Sequence, residues 1–265
     1  MAWDESKHPR KKENGRFDKK DGSSSSAYTD GVNARIAEAK RLGIPVPLNA
    51  DGSVDDLRLQ EDISKAKQFR TFTDQKSVDE FFLYDNDKRG LLAKRNSLHG
   101  KWEKRLTPQQ RYTISDYIGD GYSNINSYLR GYDNGVKYDV DFVKQQIADL
   151  DIAIDDYTLK EPITTYRSID SEAFWEHLDN IESLVGTEYT DPAFMSTSPS
   201  LDSTALNKDV IMTIRLPAGK GIGAYINEYN GLGEIEFLLA RGSKFKITKA
   251  TKDKKIYRIE MELIK

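Results

Sequence analysis

The chain of 265 residues can hold one large domain, or a medium domain with appended segments, and its formal net charge is only −3. A charge this close to neutral gives no general reason to expect nucleic acid or an anionic membrane as a partner. The lack of cysteine excludes disulfides, thiolate metal sites and a cysteine nucleophile. No apolar run is long enough to predict a membrane span or an ordinary secretory signal.

The first 68 residues are predicted to lie outside the main domain. Residues 1–30 are rich in charged residues and then in serine, and this composition predicts a disordered tail. Residues 31–68 are predicted to hold a short helix at 34–42 and a polar linker with an Asp51-Gly52 turn. The main domain is therefore predicted to span residues 69–265.

The next part of the chain is predicted to be helical. Ser77-Val78-Asp79-Glu80 and Thr107-Pro108-Gln109-Gln110 are both typical of a capping box at a helix start. Gly119-Asp120-Gly121 is expected to break the second of these helices, and Arg130-Gly131 to end the following one. A longer helix is expected to carry the apolar stripe Val143, Ile147, Leu150 and Ile154.

After Pro162 the pattern changes to short apolar segments typical of strands. The predicted strands are residues 163–167, 193–198, 210–216, 223–226, 234–239, 243–248 and 256–264. Helices followed by strands indicate the α+β class, with a helical N-terminal lobe and a mostly antiparallel β core.

Three polar motifs lie on these predicted strands: Tyr166-Arg167, then Ser196-Thr197-Ser198, then Glu234-x-Glu236. Each motif taken alone is a weak indication of function, since an arginine is usually on the surface and paired glutamates are usually solvated. Residues two apart on a strand share a face, so Glu234 and Glu236 are expected to project together. In this order, the three motifs resemble the arginine/serine/glutamate class of mono-ADP-ribosyltransferases.

The resemblance extends beyond these motifs. Residues 106–130, 217–226 and 236–247 are similar to the enzymatic domains of actin-modifying binary toxins and their insecticidal relatives. This resemblance implies the ADP-ribosyltransferase fold with a two-sheet β core. It also implies NAD as a substrate, no metal, and transfer of ADP-ribose to a protein arginine with release of nicotinamide.

The resemblance also implies roles for individual residues. Glu236 would stabilise the positive charge that develops on the ribose, Glu234 would hold the acceptor guanidinium, and Ser196 would orient Glu236. Tyr229 would lie in the loop that recognises the target. The residues implied in NAD binding are Tyr117, Asn126, Tyr166, Arg167, Thr197, Ser198 and Lys208.

Three positions depart from the family pattern. Ala193 stands where binary toxin relatives often carry asparagine, and Lys208 stands where they place a phosphate-binding arginine. A lysine supplies charge but not the planar, two-pronged contact of arginine. Tyr229 lies at a different distance from Glu234 than in the toxins, so the identity of the target protein stays open.

Two alternative functions remain open: an NAD glycohydrolase with water as acceptor, and a non-catalytic, virion-associated interaction module. The second is suggested by residues 7–17, which resemble a short tail of phage minor head proteins but are equally typical of a solvated basic tail. The enzyme is expected to be a secreted toxin or effector delivered without an ordinary signal peptide, through a translocating partner or a phage particle. A bacterial cytoplasmic location is the alternative, and no nucleic-acid partner is expected.

Overall fold

The computed structural model describes residues 23–41, 46–84, 97–132, 137–203, 207–226 and 235–264. The chain divides into two compact units, Met1–Ile63 and Ser64–Lys265. Among the described residues, none of the helices combines the length and the apolarity needed to cross a bilayer.

The first unit contains helix α1 (Ser23–Arg41) and the start of helix α2 (Asp56–Gln68). Ala39, Leu59 and Ile63 form its small buried core. Helix α1 begins within the segment that the sequence predicted to be a disordered tail up to residue 30, so that boundary is wrong for residues 23–30. Once a helix is nucleated, each further residue adds a hydrogen bond, and α1 therefore extends beyond its buried part.

After the end of α2, the described residues of the second unit form five further α-helices, together called the helical lobe here. They are α3 (Gln75–Phe82), α4 (Leu98–Arg105), α5 (Pro108–Asp116), α6 (Tyr122–Arg130) and α7 (Val140–Asp155). The predicted box at Thr107 is confirmed, because its hydroxyl accepts from Gln110 N and the Gln110 side chain accepts from Thr107 N. The predicted box at Ser77 is wrong by three residues, because Asp74 is the N-cap and Ser77 is its partner within the helix.

A π-helical turn, Tyr117–Gly121, joins α5 to α6. Gly119 has a ψ of −121°, outside helical values, so the predicted break is confirmed as a kink. Gly121 is packed so closely that a Cβ there would lie 2.2 Å from Asp116 Oδ2. Gln146 on α7 donates to the same oxygen at 2.6 Å, which fixes the kink against the rest of the lobe.

The β core contains a five-stranded sheet in the order β2-β5-β10-β9-β3 and a three-stranded sheet in the order β4-β8-β7, with a short β1–β6 pair. The strands are β1 (Thr158–Leu159), β2 (Ile163–Ile169), β3 (Glu188–Thr190), β4 (Met195–Thr197), β5 (Val210–Leu216), β6 (Gly219–Lys220), β7 (Gly223–Tyr225), β8 (Phe237–Leu239), β9 (Lys244–Asp253) and β10 (Ile256–Leu263). Among the strands of the described residues, β5 and β10 pair in parallel and the other strand pairs are antiparallel. The predicted α+β class with a mostly antiparallel two-sheet core is confirmed.

The helical lobe and the two sheets share one continuous apolar core. Phe82 of α3 stacks on Tyr225 of β7, with ring centroids 4.4 Å apart and planes 12° from parallel. Strand β7 lies very close to β8, since a Cβ on Gly223 would be 2.5 Å from the Leu238 carbonyl oxygen. This packing holds the three-stranded sheet firmly; β4 of that sheet carries Ser196 and Thr197, and Glu236 directly precedes its strand β8.

Candidate functional site

Glu236 lies immediately before β8, and hydrogen bonds from the end of β7 and from β4 hold the backbone around it in place. Its side chain is buried, with the residue only 7% exposed, and its carbonyl accepts a hydrogen bond from Ile226 N at 3.1 Å. Thr197 of β4 donates its hydroxyl to the Phe237 carbonyl at 2.7 Å. The β4–β8 register, with Ser196 opposite Leu238, places the serine motif beside this glutamate.

The arginine motif reaches the same place from the other sheet. Tyr166 and Ser198 exchange two backbone hydrogen bonds of 2.7 Å, which link β2 to the end of β4. Arg167 donates from Nη1 to the Ser196 carbonyl at 2.7 Å. The arginine and serine motifs are therefore in direct contact, at the point where the two sheets meet.

Tyr117 brings the helical lobe into this group. It is 1% exposed, and Asn126 Nδ2 of α6 donates to its hydroxyl oxygen at 3.0 Å. Burial raises the pKa of Tyr117 to about 12; hydrogen bonds with Asn126 and Ser196 oppose this shift, and the negative charge of Glu236 adds to it. The phenol is thus neutral near pH 7 and lies within electrostatic range of Glu236 and Arg167.

Asn126 carries an unused hydrogen-bond acceptor in this site. Its Oδ1 atom is buried and has no hydrogen-bond partner. A buried acceptor without a donor is costly and usually indicates a missing ligand or water. The site can therefore accept a hydroxyl or amide donor from a bound molecule at this atom.

Two further side chains, which the sequence did not single out for this site, lie close to it. Burial raises the pKa of Tyr189, with Asp191 adding to the shift and both Arg167 and Arg130 opposing it, so this tyrosine lies near two arginines. Arg130 ends α6 and is bound by Asp191. Arg130 could have been suspected from the matching helical segment, whereas nothing in the sequence around Tyr189 indicated its position.

The other predicted residues are less central or lie outside the described part of the chain. The Tyr166 side chain is close to Arg215 and Glu260 rather than to Arg167, because neighbouring residues on a strand face opposite sides. Lys208 is paired with Asp170 at 3.1 Å and is substantially exposed. Ser198 donates its hydroxyl to the Ser200 carbonyl. Glu234 and Tyr229 lie outside the described residues.

Metal ligands do not cluster in the part of the chain that the structure describes. There, the side chains of histidine, aspartate and glutamate form no group of three or more that could hold an ion. The site that the fold does form combines a buried carboxylate, an arginine, a serine, a neutral phenol and an amide.

A fold of this kind, with a carboxylate, an arginine and a serine at the junction of two sheets, defines the class of toxin-type ADP-ribosyltransferases. Residues 95–265 match the family described as ADP-ribosyltransferase exoenzyme, and the chain belongs to that family. NAD is the substrate of this family. The unpartnered acceptor on Asn126 and the guanidinium of Arg167 fit a ligand that carries hydroxyl groups and phosphates.

Similar proteins have related activities in their names. The chain is 31% identical over 156 residues to the NAD(+)–arginine ADP-ribosyltransferase EFV of Enterococcus faecalis; the match covers 56% of this chain but only 30% of that protein. The ADP-ribosylating toxin BECa of C. perfringens has a TM-score of 0.61 at 22% identity, over 74% of this chain and 50% of that one. C3stau2 from S. aureus, with NAD, has a TM-score of 0.58 at 18% identity, over 75% and 99%. These two structures confirm the predicted fold.

Proposed function

We propose that the protein transfers ADP-ribose from NAD to an arginine side chain of a target protein and releases nicotinamide. The observation that supports this most directly is the buried Glu236 beside Ser196, Arg167 and the neutral phenol of Tyr117. Cleavage of the bond between nicotinamide and ribose develops positive charge on the ribose. A buried carboxylate held in place beforehand stabilises such charge far better than a solvated one.

In this proposal each neighbour of Glu236 has a separate task. Arg167 binds the pyrophosphate of NAD, since a planar guanidinium suits that group. Ser196 orients Glu236, while Tyr117 and Asn126 bind NAD from the helical side, with Asn126 Oδ1 as an acceptor. Thr197 and Ser198 shape the pocket for nicotinamide.

Two predicted NAD contacts have weaker support than the rest. Lys208 is paired with Asp170, so it would have to exchange partners to reach a phosphate. Tyr166 points towards Arg215, and we propose that it supports β2 and the orientation of Arg167 instead of touching NAD.

Arginine is proposed as the acceptor for two reasons. The Glu-x-Glu motif carries glutamate at position 234, and a carboxylate there can hold a guanidinium and take up its proton. The E. faecalis relative is named as an arginine-modifying enzyme. Tyr229, in the segment before Glu234, is proposed to contact the target.

The target is proposed to lie inside another cell. Several similar structures are toxins by name, which supports a secreted or delivered enzyme. The route, through a translocating partner, a secretion apparatus or a phage particle, is a separate proposal. It is suggested by residues 7–17, which resemble a short tail of phage minor head proteins.

The decisive experiment incubates the purified protein with labelled NAD and a cell lysate, and compares it with Glu236→Gln. This variant keeps the shape of the side chain and removes its charge, so labelling should fall by about a hundredfold or more. The labelled band should be released by neutral hydroxylamine, as expected for an arginine linkage. Glu80→Gln, on a solvent-accessible side chain of α3, is the matched control and should label as the wild type does. Equal labelling by wild type and Glu236→Gln would refute the proposed role.

Glu234→Gln separates transfer from NAD hydrolysis. If Glu234 acts on the acceptor arginine, this variant should still release nicotinamide but should label no protein. Nicotinamide release without labelling by the wild-type protein itself would favour the glycohydrolase. Failure of the wild type to turn over NAD would favour the non-catalytic module.

A further inference from the structure

Asp191 lies where the end of α6 meets the approach to β4. Its carboxylate binds Arg130 with two hydrogen bonds, Nε to Oδ1 at 3.1 Å and Nη2 to Oδ2 at 2.7 Å. Oδ1 also accepts from Ala193 N at 3.0 Å, and the Asp191 carbonyl accepts from Gly242 N at 3.0 Å. One residue therefore joins the helical lobe, the approach to β4 and the turn after β8.

The pair is well shielded from solvent. The Asp191 side chain is 7% exposed and that of Arg130 is 25% exposed. Burial alone would lower the pKa of Arg130, but its hydrogen bond with Asp191 and the charge of that carboxylate raise it above the usual value. A two-pronged bond of this kind fixes the angle between its partners as well as their distance.

The pair is close in sequence to residues on both sides of the candidate site. Arg130 lies four residues after Asn126, so both project from the same face of α6. Asp191 lies five residues before Ser196. Tyr117 completes the ring, because its phenol accepts a hydrogen bond from Asn126 and lies close enough to Ser196 for that hydroxyl to oppose the rise in its pKa.

We propose that Asp191, acting through Arg130, is a positioning residue that sets the spacing between Asn126 on α6 and Ser196 on β4. In this way it determines how tightly NAD is bound. The inference rests on the proposed function only in taking NAD as the ligand. A residue with a purely structural role would only hold the helical lobe against the β core. The ion pair of Arg241 with Asp151 serves as the comparison for such a role. These two residues also form a two-pronged ion pair between the helical lobe and the β core.

The first test is Asp191→Asn in the full chain. Asparagine keeps an acceptor for Ala193 N but loses the charge and one acceptor for Arg130. Without the charge-assisted pair, α6 can shift against β4 and Asn126 loses its alignment with bound NAD, so KM for NAD should rise about tenfold, equivalent to about 1.4 kcal/mol of binding free energy. We expect kcat for nicotinamide release to change much less. The dissociation constant for NAD, measured by calorimetry, should rise by the same factor as KM.

Three companion variants separate positioning from stability. Arg130→Lys keeps the charge but not the two-pronged geometry, and it should weaken NAD binding as Asp191→Asn does. The double variant Arg130→Gln with Asp191→Asn should bind NAD no more weakly than Asp191→Asn alone, because the two residues act as one unit. Asp151→Asn should leave NAD affinity unchanged.

The outcomes distinguish this inference from the proposed function. If the wild type binds NAD and Asp191→Asn binds it equally well, the positioning role is refuted while the proposed function stands. Equal losses in Asp191→Asn and Asp151→Asn would also refute it, since any link between lobe and core would then suffice. If the wild type does not bind NAD at all, the proposed function fails, and this inference fails with it.

Discussion

Replacing Tyr117 by phenylalanine should produce a stability difference that depends on pH. The change removes the acceptor for Asn126 Nδ2, and leaving that buried amide without a partner should cost about 1–3 kcal/mol at pH 8. The stability of the wild type also depends on the ionisation of the Tyr117 phenol, a dependence that the variant lacks. Burial raises the pKa of Tyr117 from 10.0 to about 12.

The sign of this effect follows from proton linkage. Because the pKa is higher in the folded state, the contribution is fully present below pH 10 and is lost as the pH rises towards 12. Each pH unit in this window is equivalent to about 1.4 kcal/mol. At pH 11 the wild type should therefore have lost about 1.4 kcal/mol that Tyr117→Phe cannot lose, and the gap between the two proteins should narrow by that amount.

The assay is urea denaturation of both proteins at pH 8, 9, 10 and 11, followed by circular dichroism. The other buried tyrosines titrate in both proteins, so the difference between the two curves isolates Tyr117. Tyr112→Phe, at a position that is 52% exposed on α5, controls for the loss of any phenol hydroxyl. A gap that stays constant from pH 8 to 11 would show that Tyr117 is not buried beside Glu236 as described.

Two further changes test the β core. Gly223→Ala should destabilise the fold by about 3 kcal/mol in chemical denaturation, because the added Cβ would lie 2.5 Å from the Leu238 carbonyl oxygen. Gly31→Ala in α1, with nothing closer than 3.5 Å, should not destabilise, and the reasoning fails if the two changes cost the same. Burial would raise the pKa of Glu260, but Lys249 and Arg215 together hold it below its usual value. Glu260→Gln should therefore lower the free energy of unfolding by about 3 kcal/mol near neutral pH. This difference from the wild type should shrink as the pH falls below about 4, because the wild-type carboxylate is then protonated as well. A deficit that is independent of pH would contradict this assignment.

Features with a local cause could be predicted from the sequence. The cap at Thr107 depends on residues within one helical turn, and so does the end of α6 at Gly131, whose φ is +70°. The box at Ser77 was misplaced because Asp74 and Ser77 also match a capping pattern, and the sequence does not show which residue is the cap. The start of α1 was missed because helix extension does not require apolar residues.

Features that depend on distant residues could not be predicted in this way. The parallel pairing of β5 with β10 joins strands that are far apart in the chain, and three short strands, β1, β3 and β6, have no apolar alternation to indicate them. In the site, the motifs suggested that Arg167, Ser196 and Glu236 would converge. The pairing of Arg130 with Asp191, 61 residues apart, follows only from the folded chain.

The position of β10 has a consequence for the order in which the enzyme folds. This strand comes last among the described elements, yet it lies in the middle of the five-stranded sheet, between β5 and β9. While the chain is being synthesised, the sheet cannot close until Leu263 has appeared. Arg167 on β2 is attached to β10 only through β5, so a partly emerged chain lacks the support for its site. Activity should therefore appear only once β10 has emerged and paired, because this long-range pairing forms last.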